Sequence, residues 1–259
     1  MSTFLFDKII FGPVTSRRLG ISLGINLLPT DRKLCSFDCI YCECGFNPDK
    51  NVAKAELPSS KIVKEKLKRT LQKMSNEEQL PDVITFAGNG EPTLHPEFAE
   101  IIDNTIELRN KFAPKAKIAV LSNASKISSE KVFNALLKID DNIQKLDSGI
   151  EETICLLDRP VGPFSLQKTV EGLKRFEGQV TIQTLFVKGS FKNKTIDNTT
   201  PQEVEAWLKL IKDIAPKEVM VYTIDRDTPV KTLQKITKEK LEEIAEMVRK
   251  LGIKTQVSS

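Results

Sequence analysis

Short apolar runs alternate with longer amphipathic stretches along most of the chain. The apolar runs are rich in Val, Ile, Leu and Thr and have the length of β-strands. They span residues 22–29, 82–88, 117–123, 142–149, 180–189 and 218–225, and residues 252–257 form a weaker seventh run. Because strands that alternate with helices form βαβ units, the pattern predicts an α/β protein with a mostly parallel sheet. Six such units favour a barrel or partial barrel over two separate domains.

Helix-start signals mark the stretches between the predicted strands. A Ser or Thr, or a Pro in the first turn, opens each amphipathic stretch. The predicted helices cover residues 61–75, 96–112, 128–138, 165–176, 201–213 and 237–251. The pattern has no internal repeat or convincing linker, so we expect a single domain over residues 1–259, with residues 1–20 as an N-terminal extension and residues 226–259 as a C-terminal strand and helix extension.

Composition adds limits on the class of protein. The chain is 40% hydrophobic and 29% charged, and its net charge of +4 does not by itself demand a nucleic-acid partner. No apolar run approaches the roughly 20 residues that cross a bilayer. The N-terminus has an early Asp7 and no basic region, so it does not resemble a signal peptide. We therefore expect a cytoplasmic protein with no membrane partner and with reduced cysteines.

Polar side chains follow several strands at the point where each strand ends. Glu91 follows one apolar run, and Ser122 and Asn123 end the next. Lys145 and Asp147 lie two residues apart, on one face of a predicted strand. In parallel α/β proteins the carboxyl ends of the strands form the active face. Because a lone buried charge is costly, Lys145 and Asp147 either bind a ligand or pair with each other.

Four of the five cysteines lie within residues 35–44, with the spacing Cys35-x3-Cys39-x2-Cys42 and then Cys44. Thiols so close together are poorly placed to join distant segments by disulfides. Structural zinc sites usually combine two separated cysteine pairs, whereas all four thiols lie here on one loop. Clustered thiolates suit an iron–sulfur cluster, and a [4Fe–4S] cluster held by three cysteines leaves one iron open. The cluster is the favoured interpretation, and the disulfide and zinc alternatives stay open.

This motif, with an aromatic residue before its last cysteine, resembles the signature of the radical S-adenosylmethionine (SAM) superfamily. In that superfamily three cysteines hold a [4Fe–4S] cluster, and the amino and carboxylate groups of SAM chelate the fourth iron. One electron from the cluster cleaves SAM to methionine and a 5′-deoxyadenosyl radical, which abstracts hydrogen from a substrate. The resemblance implies a partial (βα)6 TIM-type barrel of mostly parallel strands. It also implies that Cys35, Cys39 and Cys42 are the cluster ligands. Cys44 is either a fourth ligand in a resting state or a loop thiol, and the loop thiol is favoured because a fourth ligand would block the open iron.

The resemblance implies a set of SAM contacts as well. The family has a Gly-Gly-Glu-Pro-like motif that binds the methionine amine, and this chain has the sequence GNGEP over residues 88–92. Asn89 departs from the Gly-Gly form, while Gly90 and Glu91 match it. The other implied contacts are Tyr41 beside the adenine, Ser122, Asn123 and Asp147 for the ribose and carboxylate, and Gln183 near the adenine. A reductant such as flavodoxin or ferredoxin would supply the electron.

Residues 11–229 resemble a group of small iron–sulfur oxidoreductases related to the enzymes that form the tricyclic wyosine base of tRNA. The wyosine enzymes carry a second cysteine cluster that this sequence lacks, so their activity does not follow from the resemblance. We expect a radical SAM oxidoreductase whose substrate is RNA or a small metabolite. The alternatives are a glycyl-radical activating enzyme and a non-catalytic iron–sulfur or zinc protein that binds RNA through the basic helix 61–73.

Other residues have competing interpretations. His95, the only histidine, fits a capping or packing role better than proton transfer. Cys155 lies in an apolar stretch and is expected to be a small buried hydrophobe. Arg17 and Arg18 either bind an anion or form a surface pair of little consequence.

Overall fold

The computed structural model describes residues 4–16, 19–49 and 56–259. Its strands and helices follow the chain in the order β1 (Ile10–Ser16), β2 (Gly20–Ile25), α1 (Ser60–Asn76), β3 (Val83–Phe86), α2 (Phe98–Phe112), β4 (Lys117–Ser122), α3 (Glu130–Leu136), β5 (Asp141–Lys145), α4 (Glu151–Leu157), α5 (Leu166–Lys174), β6 (Thr181–Leu185), β7 (Val187–Phe191), β8 (Lys194–Asp197), α6 (Pro201–Ile214), β9 (Glu218–Tyr222), β10 (Gln234–Lys235), α7 (Lys238–Arg249) and β11 (Lys254–Ser258). Arg17 and Arg18 lie outside the described residues.

Within the described residues, the main sheet has eight strands in the order β1-β2-β3-β4-β5-β6-β9-β11. Strand β1 pairs antiparallel with β2, and every other neighbouring pair is parallel. The sheet curls into a half-barrel with helices outside it, which confirms the predicted partial (βα)6 fold. In this part of the chain no helix combines the length and apolar character needed to cross a membrane.

Local sequence explains where most helices begin. The side chains of Ser59, Ser165, Thr200 and Thr237 accept hydrogen bonds from the first turns of α1, α5, α6 and α7. These N-caps satisfy backbone N–H groups that have no partner inside the helix. The predictions for these four helices are therefore confirmed to within two residues. Helix α2 begins later than predicted, because a 3₁₀ turn over Pro92–Leu94 precedes it.

The structure differs from the predicted pattern in four places. Strand β1 lies in the segment that was expected to be an extension, and it forms the antiparallel edge of the sheet. The predicted strand 180–189 breaks at Phe186, because the N–H of Val187 donates to the Asn198 side chain and the chain leaves for a small antiparallel sheet, β10-β7-β8. Helix α4 was not predicted. Strand β5 ends at Lys145, so Asp147 lies beyond the strand and not on its face.

A separate hydrophobic cluster anchors the loop that carries the cysteines. Phe37, Ile40 and Tyr41 from the loop pack with Leu157 at the end of α4 and with Leu185 at the end of β6. All five are buried. Burying a large apolar side chain stabilises a fold by about 1.5–3 kcal/mol, so the loop is held firmly against the sheet.

Candidate active site

A cavity of about 330 Å³ opens at the carboxyl ends of the parallel strands. This volume lies within the range of small-molecule sites, which is about 300–1,000 Å³. Its lining includes every predicted site residue except Asp147, namely Cys35, Cys39, Tyr41, Cys42, Gly90, Glu91, Ser122, Asn123 and Gln183. The parallel topology explains this, because segments far apart in sequence end at the same edge of the sheet.

Backbone hydrogen bonds hold the cysteine loop against the residues that follow α4. The N–H groups of Asp38 and Ile40 donate to the carbonyls of Asp158 (2.9 Å) and Leu157 (3.0 Å). The N–H of Val161 donates back to Ser36 (2.8 Å), and an isolated bridge joins Phe37 to Pro160. Backbone hydrogen bonds therefore join the loop to the residues that follow α4, and they fix the positions of its thiols.

The thiols face a buried cation. Lys33 is 3% exposed, and its Nζ donates to the carbonyl of Gly45 (3.0 Å). Burial alone would lower the pKa of Lys33, but the charges of Cys42, Cys39, Cys35 and Asp38 raise it. A cation held here favours thiolates, which are the form that binds iron.

The pKa values of Cys42 and Cys35 are shifted in opposite directions. A hydrogen bond with Cys44 and the nearby Lys33 charge lower the pKa of Cys42 to about 6 despite burial. Burial and the charge of Glu91 raise the pKa of Cys35 to about 12. The thiol of Cys44 also lies 3.5 Å from the carbonyl of Gly88 and faces the cavity.

The donor set fits an iron–sulfur cluster. Among residues 4–16, 19–49 and 56–259, no three His, Cys, Asp or Glu side chains are gathered closely enough to hold a single metal ion. A [4Fe–4S] cluster binds its thiolates through separate irons, so it accepts thiols that are farther apart. Cys35, Cys39 and Cys42 share one loop and line one cavity, so these three thiols would hold the cluster.

The turn after β3 places a carboxylate in the cavity wall. Gly90 has φ +141°, and a Cβ on it would lie 1.9 Å from the carbonyl oxygen of Leu34, so glycine is required there. Glu91 is 2% exposed, and its oxygens accept hydrogen bonds from the N–H groups of Thr93 (3.0 Å) and Asn123 (2.7 Å). Burial raises its pKa. Within the described residues Glu91 forms no ion pair, so the site fits a ligand that brings an ammonium group.

Asn123 connects this carboxylate to the cysteine loop. Its N–H donates to Glu91, and its Nδ2 donates to the hydroxyl of Ser36 (2.9 Å) and lies 3.5 Å from the sulfur of Cys35. The neighbouring Ser122 hydroxyl accepts the N–H of Ala124 (3.1 Å). The end of β4 therefore touches both the carboxylate and one thiol, and hydrogen bonds to ligand sulfurs tune cluster potentials.

A buried polar network lies behind Tyr41. Its hydroxyl contacts Lys145, Asp147 and Asp158, with 2.8 Å to Asp158. Lys145 pairs with Asp147 at 3.2 Å, and Asp147 also accepts the N–H of Leu185 (2.8 Å). Asp147 is 1% exposed and does not line the cavity. The mutual ion pair considered for Lys145 and Asp147 is therefore present, and Asp147 is connected to the cavity through Tyr41 and Lys145, which both line it.

Asp158 is the member of this network that sequence reasoning missed. It is 1% exposed, and burial, together with the charge of Asp147, raises its pKa to about 7. Burial would lower the pKa of Lys145, but Asp147, Cys39 and Asp158 raise it well above its usual range. Asp158 follows an unpredicted helix, and no local motif marks it.

The structure decides the roles of His95 and Cys155. His95 is buried, its Nδ1 accepts the N–H of Glu97 (3.1 Å), and its Nε2 donates to the carbonyl of Pro58 (2.9 Å), which is the predicted packing role. The prediction that Cys155 is buried is wrong. Helix α4 turns Ile154 and Leu157 toward the core, so Cys155 falls on the exposed face.

The model of the Radical SAM superfamily matches residues 33–189, which include the cysteine loop and strands β3 to β6. The chain belongs to the radical SAM superfamily. Members of this superfamily are enzymes that bind a [4Fe–4S] cluster and SAM, so these are the cofactors of this enzyme, and its specific reaction is open.

Two bacterial proteins are similar to most of this chain. The chain is 35% identical to a UPF0026 protein of Helicobacter pylori strain J99, over 86% of this chain and 68% of that protein. It is 30% identical to a protein named GTPase Obg of Brachyspira hyodysenteriae, over 92% of this chain, and it spans only 33% of that protein's length.

Two solved structures share the fold at low identity. A radical SAM methyltransferase from Sphaerobacter thermophilus aligns with a TM-score of 0.66 at 13% identity, over 92% of this chain and 65% of that one. TYW1 with a lysine-pyruvate adduct bound aligns with a TM-score of 0.61 at 14% identity, over 88% and 73%.

Proposed function

We propose that this enzyme cleaves SAM reductively and uses the resulting 5′-deoxyadenosyl radical to abstract hydrogen from a substrate at the cavity mouth. A [4Fe–4S] cluster supplies the electron for this chemistry, and a reductant such as flavodoxin or ferredoxin recharges it. The observation that carries the proposal is the shared cavity. The thiols of Cys35, Cys39, Cys42 and Cys44 face one space of about 330 Å³, together with the buried carboxylate of Glu91 and the polar ends of β4 and β6.

The residues have distinct roles in this proposal. Cys35, Cys39 and Cys42 hold the cluster, and Lys33 favours their thiolate forms. Glu91 binds the ammonium group of SAM, and Gly90 lets the backbone approach it closely. Tyr41, Ser122, Asn123 and Gln183 border the remainder of SAM. Asp147 acts one step away, because together with Lys145 and Asp158 it holds the Tyr41 hydroxyl in place.

The cavity mouth supports an anionic substrate, either an RNA nucleotide or a small metabolite. Arg226 lines the mouth and pairs with Glu43 at 2.7 Å. Its guanidinium also lies 5.6 Å from the ring centroid of Phe4. An exposed cation beside an aromatic ring suits a planar group that carries a phosphate or a carboxylate.

Anaerobic reconstitution tests the proposal directly. The purified chain should take up about four irons, as a [4Fe–4S] cluster requires. It should then release 5′-deoxyadenosine from SAM only when dithionite is present. A protein that holds its full iron content and never cleaves SAM would refute the proposed function.

Cys42 and Cys44 offer a matched pair of variants on the same loop. Cys42→Ala should lose the cluster and SAM cleavage, because it removes a proposed ligand. Cys44→Ala should keep both, because its thiol is not one of the three. Iron content and visible absorbance measure the difference. Loss of iron in Cys44→Ala with retention in Cys42→Ala would overturn the ligand assignment.

A further inference from the structure

Asn89, the residue that departs from the Gly-Gly form of the family motif, is a buried tie between two segments. Its side chain is fully buried and makes three hydrogen bonds. Oδ1 accepts the N–H of Phe6 (2.8 Å), and Nδ2 donates to the carbonyls of Phe6 (2.9 Å) and Pro29 (2.7 Å). A glycine here would leave all three partners without these bonds.

The backbone of Asn89 is held just as firmly, but by other groups. Its N–H donates to the side chain of Asn26 (3.1 Å), and its carbonyl accepts the N–H of Leu34 (2.8 Å). The backbone bonds therefore set the turn that presents Glu91. The side-chain bonds leave the turn and reach the N-terminal segment.

The segment that Asn89 ties down forms one wall of the cavity. Phe4 and Phe6 both line the cavity, and their rings meet edge to face at 5.0 Å. The ring of Phe6 stacks on Phe11 of β1 at 3.7 Å, and the N–H of Phe4 donates to the carbonyl of Glu43 in the cysteine loop (3.0 Å). Phe4 and Phe6 together are called the aromatic wall below.

We propose that Asn89 is a positioning residue that fastens the aromatic wall across the cavity and so couples the SAM-binding turn to the shielding of the site. That the shielded groups are an iron–sulfur cluster and SAM rests on the proposed function. A radical and a reduced cluster both react with water-borne species, so excluding solvent protects them. The side chain achieves this without altering the turn, because the turn depends on the Asn89 backbone.

Asn89→Gly removes the side chain and gives the Gly-Gly form, while the N–H and the carbonyl that make the two backbone bonds remain in the chain. Amide hydrogen exchange of residues 4–8 should speed up by about tenfold to a hundredfold, because two of the three lost bonds hold Phe6. Iron content should stay at the wild-type level, and so should the change that SAM causes in the electron paramagnetic resonance signal of the reduced cluster. Iron loss to an added chelator should become several-fold faster.

Two comparison variants make the result specific. Asn198→Gly removes another buried asparagine with three side-chain hydrogen bonds, to Val187, Asp147 and Leu185. It should loosen those residues and leave exchange at residues 4–8 unchanged. Phe6→Ala keeps the backbone bonds to Asn89 and removes the ring. It should speed up iron loss as Asn89→Gly does, and the double variant should be no faster than either one.

Several results would overturn the proposal. Exchange at residues 4–8 that stays at the wild-type rate in Asn89→Gly would mean that the Asn89 side chain does not hold the N-terminal segment in place. A loss of iron and of the SAM-dependent signal in that variant would mean that Asn89 supports the turn itself. Additive effects of Asn89→Gly and Phe6→Ala on the rate of iron loss would mean that the Asn89 side chain and the aromatic wall act separately. Failure of the wild-type protein to cleave SAM would refute the proposed function but leave the exchange result standing.

Discussion

Replacing Glu91 with glutamine should weaken SAM binding strongly while changing the free protein little. The side chain is 2% exposed and has no ion-pair partner among the described residues. A ligand ammonium would therefore form a charge-assisted bond in a dry site, which is worth about 1.5–3 kcal/mol. Losing it should raise the Kd for SAM by roughly tenfold to a hundredfold.

Two opposing changes act on the free protein in this variant. Removing a buried charge relieves the desolvation that raises the Glu91 pKa. Both carboxylate oxygens accept backbone N–H groups, however, so the new amide nitrogen must face a donor from Thr93 or Asn123. An unmade bond of this kind costs about 1–3 kcal/mol. Because the two effects oppose each other, the Tm of the cluster-free protein should move by no more than about 4 °C.

Equilibrium dialysis of SAM against the reconstituted protein measures the affinity, and a thermal melt measures the stability. Glu203→Gln is the matched control. Glu203 is also buried, accepts hydrogen bonds from Ser148 (2.6 Å) and Thr153 (2.5 Å), and lies outside the cavity lining. If Glu91→Gln binds SAM as tightly as Glu203→Gln and the wild type do, Glu91 does not bind the ammonium group.

Three further predictions concern the protein without its cluster. A buried carboxyl with a raised pKa stabilises the fold while it is protonated, and the pKa of Asp158 rises from an ordinary 3.8 to about 7. The free energy of unfolding should therefore fall by at most about 4 kcal/mol as the pH rises from 3.8 to about 7. Asp158→Asn should flatten that slope in denaturant titrations, and an unchanged slope would contradict this role of Asp158. Asn198→Ala should lower the free energy of unfolding in urea by about 3 kcal/mol, because it leaves buried backbone groups of Asp147, Leu185 and Val187 unpaired. A loss below about 1 kcal/mol would count against this prediction. Cys155 should react with iodoacetamide well before Cys39, because Cys155 is exposed and Cys39 is buried; peptide mapping that finds the reverse order would contradict the burial of Cys39.

Much of the fold and the cavity could be predicted because the relevant signals are local. The caps of α1 and α6 are encoded by Ser59 and by Thr200 followed by Pro201. Glu91 and Asn123 both follow the carboxyl ends of parallel strands, which predicts that they lie at one edge of the sheet, and a 2.7 Å hydrogen bond joins them in the structure. Both predictions needed only periodicity, capping chemistry and the geometry of parallel strands.

The remainder depended on contacts between distant segments. Tyr41 and Asp158 are separated by 117 residues, and their hydrogen bond depends on how α4 returns beneath the cysteine loop. The break at Phe186 depends on Asn198, whose side chain takes the N–H of Val187 out of the main sheet. From the sequence, Asn89 is only a departure from a motif, because nothing near it in the chain shows that its side chain forms hydrogen bonds with the backbone of Phe6. Tertiary partners decided each of these cases.

The charges around the cavity separate into those that are already balanced and one that is not. Lys145 is matched by Asp147 and Asp158, and Lys33 is matched by Asp38 and faces the cysteine thiols. Glu91 has no such match within the described residues, although it is only 2% exposed. Glu203 is likewise buried and has no ion pair among the described residues, but it lies outside the cavity, whereas Glu91 lines it. The imbalance at Glu91 therefore favours a ligand-binding role for the turn, and it predicts that adding a cationic amine ligand stabilises the wild-type protein more than Glu91→Gln.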